Sequence, residues 1–357
     1  MASEVYFAKV GGRSGRGPVE KIGLLFDEAG FASAIRKPEL VAVKAHFGER
    51  GGTAFVRPTY LRAIVEKVID QGGKPFLTDT GCLYFSGRAN ARDHLIVAAE
   101  HGFGLETTLA PVLIADGLRG TDVTSVKVDL KHFDSVDVAS AIYDAGSLVV
   151  VTHVTGHGLT GFAGTLKNLG MGGAGRLMKL AVHETVRPMV NDEMCDRCQG
   201  CLENCPVGAI SLPDGIEFDY DLCIGCGECL AVCPTKAIRI EWSGEPAVAQ
   251  EKLAEITRAV LANKKGRVCF YSFLLDVTPT CDCWDYSAAP CIPDVGVLAS
   301  TDPIAIDQAG FDLANKAAEE AGKGKDAVFK PKHMTQLRYG EELGMGSRDY
   351  QLVTVGD

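Results

Sequence analysis

Apolar positions along the chain fall into short continuous runs separated by amphipathic stretches. ELVAVKAH (39–46), KPFLTD (74–79), SLVVVTH (147–153) and RVCFYSFLLDV (267–277) are rich in β-branched and aromatic residues and read as strands buried on both faces. Between them the spacing predicts helices. One runs from Pro58, with proline in its favoured first turn, to the Gly72-Gly73 stop, and another is capped by Asn90 and ends near Gly102. Others cover Asp134–Ala145 and Pro246–Asn263, and a last one opens at Asp302-Pro303 and runs to Glu320; QLVTV (351–355) then closes as a strand. This rhythm predicts an α/β fold, a mostly parallel sheet with flanking helices. Strand–helix units lie on both sides of residues 189–243. The expectation is therefore one α/β domain, 1–188 and 244–357, interrupted by a small α+β unit at 189–243. Two separate lobes flanking that unit are the alternative.

Composition agrees with a folded chain: 46% hydrophobic and 23% charged residues over 357 positions exclude a disordered or fibrous protein. No apolar run approaches the roughly 18 residues that span a bilayer. The opening MASEVYFAKVGGRSG shows no secretory leader, so no membrane and a cytoplasmic location are expected. The net charge of −10 argues against a nucleic-acid partner. That charge is concentrated, because ten acids face three bases between Met189 and Ser243, where eight of the thirteen cysteines also lie. Cysteines clustered without a secretion signal read as metal ligands or redox groups before they read as disulfides.

Cys195, Cys198, Cys201 and Cys205 form C-x2-C-x2-C-x3-C followed by Pro206, and Cys223, Cys226, Cys229 and Cys233 repeat it 28 residues later, followed by Pro234. The surrounding text repeats too, CPVGAISL against CPTKAIRI, and AISLPDGIEFDY between the runs reads as strand, turn, strand. Two-residue gaps let one tight loop aim three thiolates at three corners of an iron–sulfur cube, leaving the fourth to come from elsewhere. A pair of zinc sites is the competing assignment, but zinc prefers paired ligands separated by a longer span. The duplicated segment resembles the bacterial two-cluster ferredoxin. That resemblance implies two 4Fe–4S clusters with crossed ligation, one on Cys195, Cys198, Cys201 and Cys233, the other on Cys223, Cys226, Cys229 and Cys205. Gly200, Gly225 and Gly227 would let backbone N–H groups approach the sulfurs.

Ligands of open parallel sheets bind beyond the carboxyl ends of the strands. Reading off those ends gives His46, Asp79, His153, His157 in a Gly-rich loop, and Cys281 and Cys283 in CDCWD, as candidates for metal, proton or thiolate chemistry. Cys281, Cys283, His153 and His157 are the expected ligands of an additional metal ion. The glycine-dense stretch 156–179 carries Lys167, Asn168, Arg176 and Lys179, which suit a carboxylate or phosphate, although it matches no dinucleotide or P-loop fingerprint. His94 and His101 read as ordinary helix residues, and Cys82, Cys269 and Cys291 as structural thiols.

The segments VKAHFGERGGTAFVRP, FLTDTGCLY with GRANARDH, THVTGHGLTGFAGTLKNLGMG and CDCWDYSAAPCIPDVGVLASTDPIAID together resemble the domain-of-unknown-function-362 family of iron–sulfur centre proteins. The ferredoxin unit is inserted between the last two of them. A fainter similarity, on isolated residues, links the His-rich and Gly-Lys-Asn segments to nickel-pincer lactate racemases. Three functions remain open. The leading one is an oxidoreductase in which the clusters relay electrons to a metal- or substrate-binding site, with His46, Asp79, His153, His157 and Lys167 as catalytic candidates and an anionic small molecule as substrate. The others are an electron carrier that docks a redox partner with a basic surface, and a non-redox isomerase or transferase with structural clusters.

Overall fold

A computed structural model describes residues 2–10, 15–182, 188–223, 226–240 and 245–356. Its centre is an eight-stranded sheet made of β1 (Ser3–Lys9), β2 (Leu40–Lys44), β3 (Lys74–Asp79), β4 (Val112–Ile114), β5 (Ser147–His153), β6 (Val268–Leu274), β7 (Gly296–Ser300) and β8 (Tyr350–Thr354). The spatial order is β8-β1-β7-β6-β5-β2-β3-β4. Only β7 runs against its neighbours, pairing antiparallel with both β1 and β6. β5 and β6 come from opposite sides of residues 188–240 and lie side by side in parallel register, Val150 opposite Phe270. One sheet thus draws strands from both flanking segments.

Alternate residues of the central strands enter different cores. Leu148, Val150, Phe270 and Leu298 join one core and Val149, Val151, Tyr271 and Val297 the other. Burial on both faces is why these strands read as unbroken apolar runs. Helices α1 (Pro18–Glu28) and α2 (Pro58–Asp70) cover one face with Leu25, Leu61 and Ile64. The other face is covered by helices α5 (Pro246–Val260) and α6 (Pro303–Glu320) through Leu253, Ile256 and Ile306. Between them in chain order lie α3 (Ala91–Glu100), whose Asn90 cap accepts the Asp93 N–H, and α4 (Thr165–Gly172). No helix among the described residues is long and apolar enough to cross a membrane.

The helix expected over Asp134–Ala145 is not there. Ser135–Ala139 is a strand, paired antiparallel with Val123–Lys127, and one helical turn follows at Ser140–Asp144. Val136 and Val138 are buried while Ser135 is exposed, a period of two that outweighs helix propensity here.

Residues 188–240 form a small appended layer. Pro188–Val190 pairs with Ile238–Ile240 at its base, Ile210–Ser211 with Glu217–Phe218, and short helices cover Gly200–Glu203 and Glu228–Val232. Its core gathers Cys201, Cys229, Cys233, Ile216 and Leu230 together with Leu83 and Leu180 of the main body.

Candidate functional site

Two recesses open in the appended layer, and between them they divide the eight cysteines. One, of about 310 Å³ measured to its open mouth, is lined by Cys195, Cys198, Cys201 and Cys233. The other, of about 420 Å³, is lined by Cys205, Cys223, Cys226 and Cys229. Each recess therefore takes three cysteines from one run and the fourth from the other.

The sequence duplication is also a backbone duplication. Gln199 and Gly227, 28 residues apart, are both left-handed and each precedes a short helix; Gly208 and Lys236, also 28 apart, are left-handed after the Cys-Pro pairs. The helix starts aim amides at sulfur, so Cys198 accepts from Gly200, Cys201 from Leu202, Cys226 from Glu228 and Cys229 from Leu230. Ala209 N–H donates to Cys205 Sγ at 3.3 Å. Such bonds stabilise sulfur that carries negative charge. Gly225 lies outside the described residues. The first recess faces outward, since Cys198 is exposed beside Asp196. The second abuts the main body. Arg176 donates to Glu228 Oε2 and to Ala89 O, Arg119 donates to Glu228 Oε1 at 2.6 Å, and Phe85 N–H donates to Leu230 O at 3.0 Å.

The second polar cluster sits where β2, β3 and β5 end. Lys44 is buried, with Nζ 3.0 Å from Asp79 Oδ1 and 2.5 Å from Asn168 Oδ1. Burial alone would raise the Asp79 carboxyl, but Lys44, His46, His94 and Arg88 hold it far below the usual carboxylate range, so it is ionised. Gly172 makes the approach possible, because a Cβ there would lie 2.2 Å from Lys44 Nζ. Lys167 is partly buried; burial and the charge of Lys44 draw its ammonium down to about 8, against the opposing pull of Asp282. Behind Asp79, Arg88 donates to Glu49 at 3.0 Å, and Lys179 donates to Thr80 Oγ1 at 2.8 Å and Gly81 O at 2.6 Å. Paired charges in a dry setting, Lys44 with Asp79, Arg88 with Glu49 and Lys179 with Asp116, beside Lys167, suit the binding of an anionic group and the movement of a proton.

Of the residues named from sequence, His46, Asp79 and Lys167 share this cluster, and each appears among the charges felt by another. Burial, then Arg88, keeps the partly buried His46 ring well below its ordinary value, and its Nδ1 accepts the Gly48 N–H. His153 is engaged at both nitrogens, Nδ1 with Asp282 at 2.9 Å and Nε2 with Leu275 O at 2.7 Å. Burial opposes its protonation, but Asp282 and the carbonyl prevail and raise it. His157 Nδ1 accepts the amides of Leu159 and Thr160. Cys281 and Cys283 are joined to each other. Among the described residues no group of three or more His, Cys, Asp or Glu side chains is placed to hold a metal ion. Of the ligands expected for an additional metal ion, Cys281 and Cys283 are bonded to each other, and His153 faces oxygen atoms at both ring nitrogens.

Sequence reasoning passed over His94. It is fully buried, with Nε2 3.9 Å from Asp79 Oδ2, and neither its nitrogens nor that oxygen has a hydrogen-bond partner among the described residues. Burial draws its ring down to about 3, so it is neutral. The signal was available. His94 shares a helix face with Val97 and Ala98, which are buried, so a polar group there points inward. Cys269 is buried in the core and Cys291 donates to Val277 O, as structural thiols do.

No curated protein matches the chain in sequence. Among solved structures, the lactate racemase apoprotein from Thermoanaerobacterium thermosaccharolyticum is 13% identical with a TM-score of 0.38, the likeness covering 76% of this chain and 51% of that one. The chain thus spans about half the length of that apoprotein. Residues 41–312, well over half of the sequence, match the family described as Domain of unknown function (DUF362), and the chain belongs to that family.

Proposed function

We propose that this protein is an iron–sulfur oxidoreductase whose two cysteine recesses hold 4Fe–4S clusters in crossed fashion and feed electrons to an anion-binding site at the strand ends of the main sheet. The partition of the eight cysteines carries the reading. Four thiols from one run would suffice for a local metal knot, yet Cys233 lines a recess with the first run and Cys205 with the second. A cluster is a wider body than a single ion, which suits ligands spread around a recess rather than drawn to one point. When bound, such clusters supply one-electron transfer.

The remaining chemistry belongs to the chain's own side chains. Arg176 and Arg119 clamp Glu228 and so fix the inner recess against the main body. Leu83, at the margin of that recess, lies four residues after Asp79, so one short loop joins the two regions. Lys44 and Lys167 offer positive charge to a carboxylate or phosphate, and Asp79 keeps Lys44 in place. The Asp282 carboxylate holds a proton on His153 Nδ1. The exposed, acid-flanked Cys198 suits a redox partner with a basic docking surface, an association that salt would weaken.

Anaerobic purification with iron and acid-labile sulfide analysis tests the reading. About eight of each per chain, with a spectrum of two magnetically coupled clusters after reduction, is the expected result. A colourless protein without sulfide sinks it.

A further inference from the structure

The bond between Cys281 and Cys283 has no role in the reading above. The two sulfurs form a disulfide, and the residue between them, Asp282, engages His153. With oxygen acceptors at both ring nitrogens, His153 carries both protons. His153 thus engages the residue that lies between the two sulfur-bearing positions.

The bridge is a poor staple. Closing a loop of two cysteines with one residue between them removes little of the unfolded chain's freedom, because that freedom grows with loop length. A bond that stabilises so little, set in a polar loop among ionisable groups, is better suited to being opened and closed than to holding the fold. Cys281 is buried, Cys283 is partly buried, and the neighbouring Trp284 and Tyr286 are half exposed.

The loop also borders the polar cluster. The Asp282 charge reaches Lys167. Thr278 O accepts the Gly156 N–H at 2.8 Å on one side, and Ser287 Oγ accepts the amides of Thr53 and Ala54 on the other. The bridge is therefore pinned between the segment after β5 and the segment after β2, at the strand ends.

We propose that Cys281 and Cys283 are a dithiol–disulfide couple that takes up two electrons, one from each of the two clusters held by the cysteine recesses. The proposal rests on the iron–sulfur reading for its electron source. The S–S bond accepts two electrons and breaks, and two protons enter, one from the His153 imidazolium and one from solvent. The products are two thiols, two clusters each oxidised by one electron, and a neutral His153 that solvent reprotonates. A one-electron donor protein reloads the clusters. Two one-electron carriers match one two-electron acceptor, which gives the paired recesses a purpose a single one would not serve.

Alkylation and peptide mass analysis of the anaerobic full-length protein test this. As purified, Cys281 and Cys283 take no label. After dithionite both take it, and in protein stripped of iron the dithionite-driven labelling slows by about tenfold or more, whereas dithiothreitol opens the bridge in both forms. Free labelling of both residues before any reductant overturns the proposal, as does dithionite labelling at one rate with and without iron. Protein lacking iron as purified would sink the reading of the recesses and this proposal with it. A full iron complement beside a bridge that dithionite leaves closed sinks this proposal alone.

Discussion

The two cysteine recesses and the polar cluster at the strand ends are built by opposite means. The recesses use cysteines packed into two short runs, a small apolar core and an acidic surface, with Cys198 exposed. The cluster draws Lys44, Asp79, His94, Lys167 and Lys179 from segments far apart in the chain and buries most of them behind the sheet. On the proposed reading, the first arrangement tolerates solvent because a bound group would hold its thiolates. The second must satisfy its charges internally, since each unpaired one in a dry interior is costly. A local loop can gather ligands by spacing alone; charges of this depth need a sheet to gather them and partners to neutralise them.

The largest expected effects break the symmetry between the recesses. Cys233→Ser should empty the recess of the first run, and Cys205→Ser that of the second, each lowering iron and sulfide from about eight to about four per chain. The diagnostic pairing is with Cys198→Ser. If Cys233→Ser and Cys198→Ser leave the same residual spectrum, the crossed assignment stands; if Cys205→Ser and Cys198→Ser do, it is wrong.

Next in size is the buried ion pair. Lys44→Met leaves Asp79 ionised and uncompensated in a dry setting, and urea unfolding should show a loss of about 3–5 kcal/mol. A loss below about 1 kcal/mol would mean that Lys44 is not what holds Asp79. Iron content should not change, which separates the two regions.

Smaller and confined to acid is the effect of His94. Its folded value of about 3 lies below the unfolded value of about 6.5, so the unfolded chain takes up the proton first. The stability associated with neutral His94 is complete above about pH 6.5 and drains away as pH falls toward 3. His94→Leu should flatten that acid limb relative to the wild type, read as denaturant midpoints across pH 3–7. Parallel limbs in the two proteins would count against a neutral, buried His94.

The smallest effect runs in the other direction. His153 is raised by Asp282 against the opposing effect of burial, so its pairing contributes fully below its unfolded value and is lost as pH rises through the higher folded one. Asp282→Asn should remove that alkaline-side loss while leaving the acid limb of His94 untouched. An unchanged profile would place the pairing outside the stability balance.

Much of this was legible in the amino-acid order, for physical reasons that differ by element. VAVK, KPFLTD and SLVVVTH announce themselves because both faces are buried, and the duplicated cysteine runs by a 28-residue repeat that the backbone shares. The sequence predicts no strand at β1, β4 or β7. β7 is five residues beginning with glycine, and its buried apolar character is shared with helix segments of similar length. The hairpin strand at Ser135–Ala139 was taken for helix since four alternating residues are a weak signal beside a following helical turn. His46, Asp79 and Lys167 could be named from their positions after strands. Their partners Arg88 and Asp282 could not, because contact between them depends on how the loops fold back, which no local pattern records; for His94 the helix face signals burial but not which residue it meets. The disulfide was equally hidden, for CDC has the composition of a metal ligand as much as of a bridge.

Iron-edge anomalous scattering from an anaerobically grown crystal tests the central claim most directly. The account predicts two iron bodies, one bounded by Cys195, Cys198, Cys201 and Cys233 and the other by Cys205, Cys223, Cys226 and Cys229. No iron signal at these cysteines, or two bodies each bounded by the four cysteines of a single run, would contradict it.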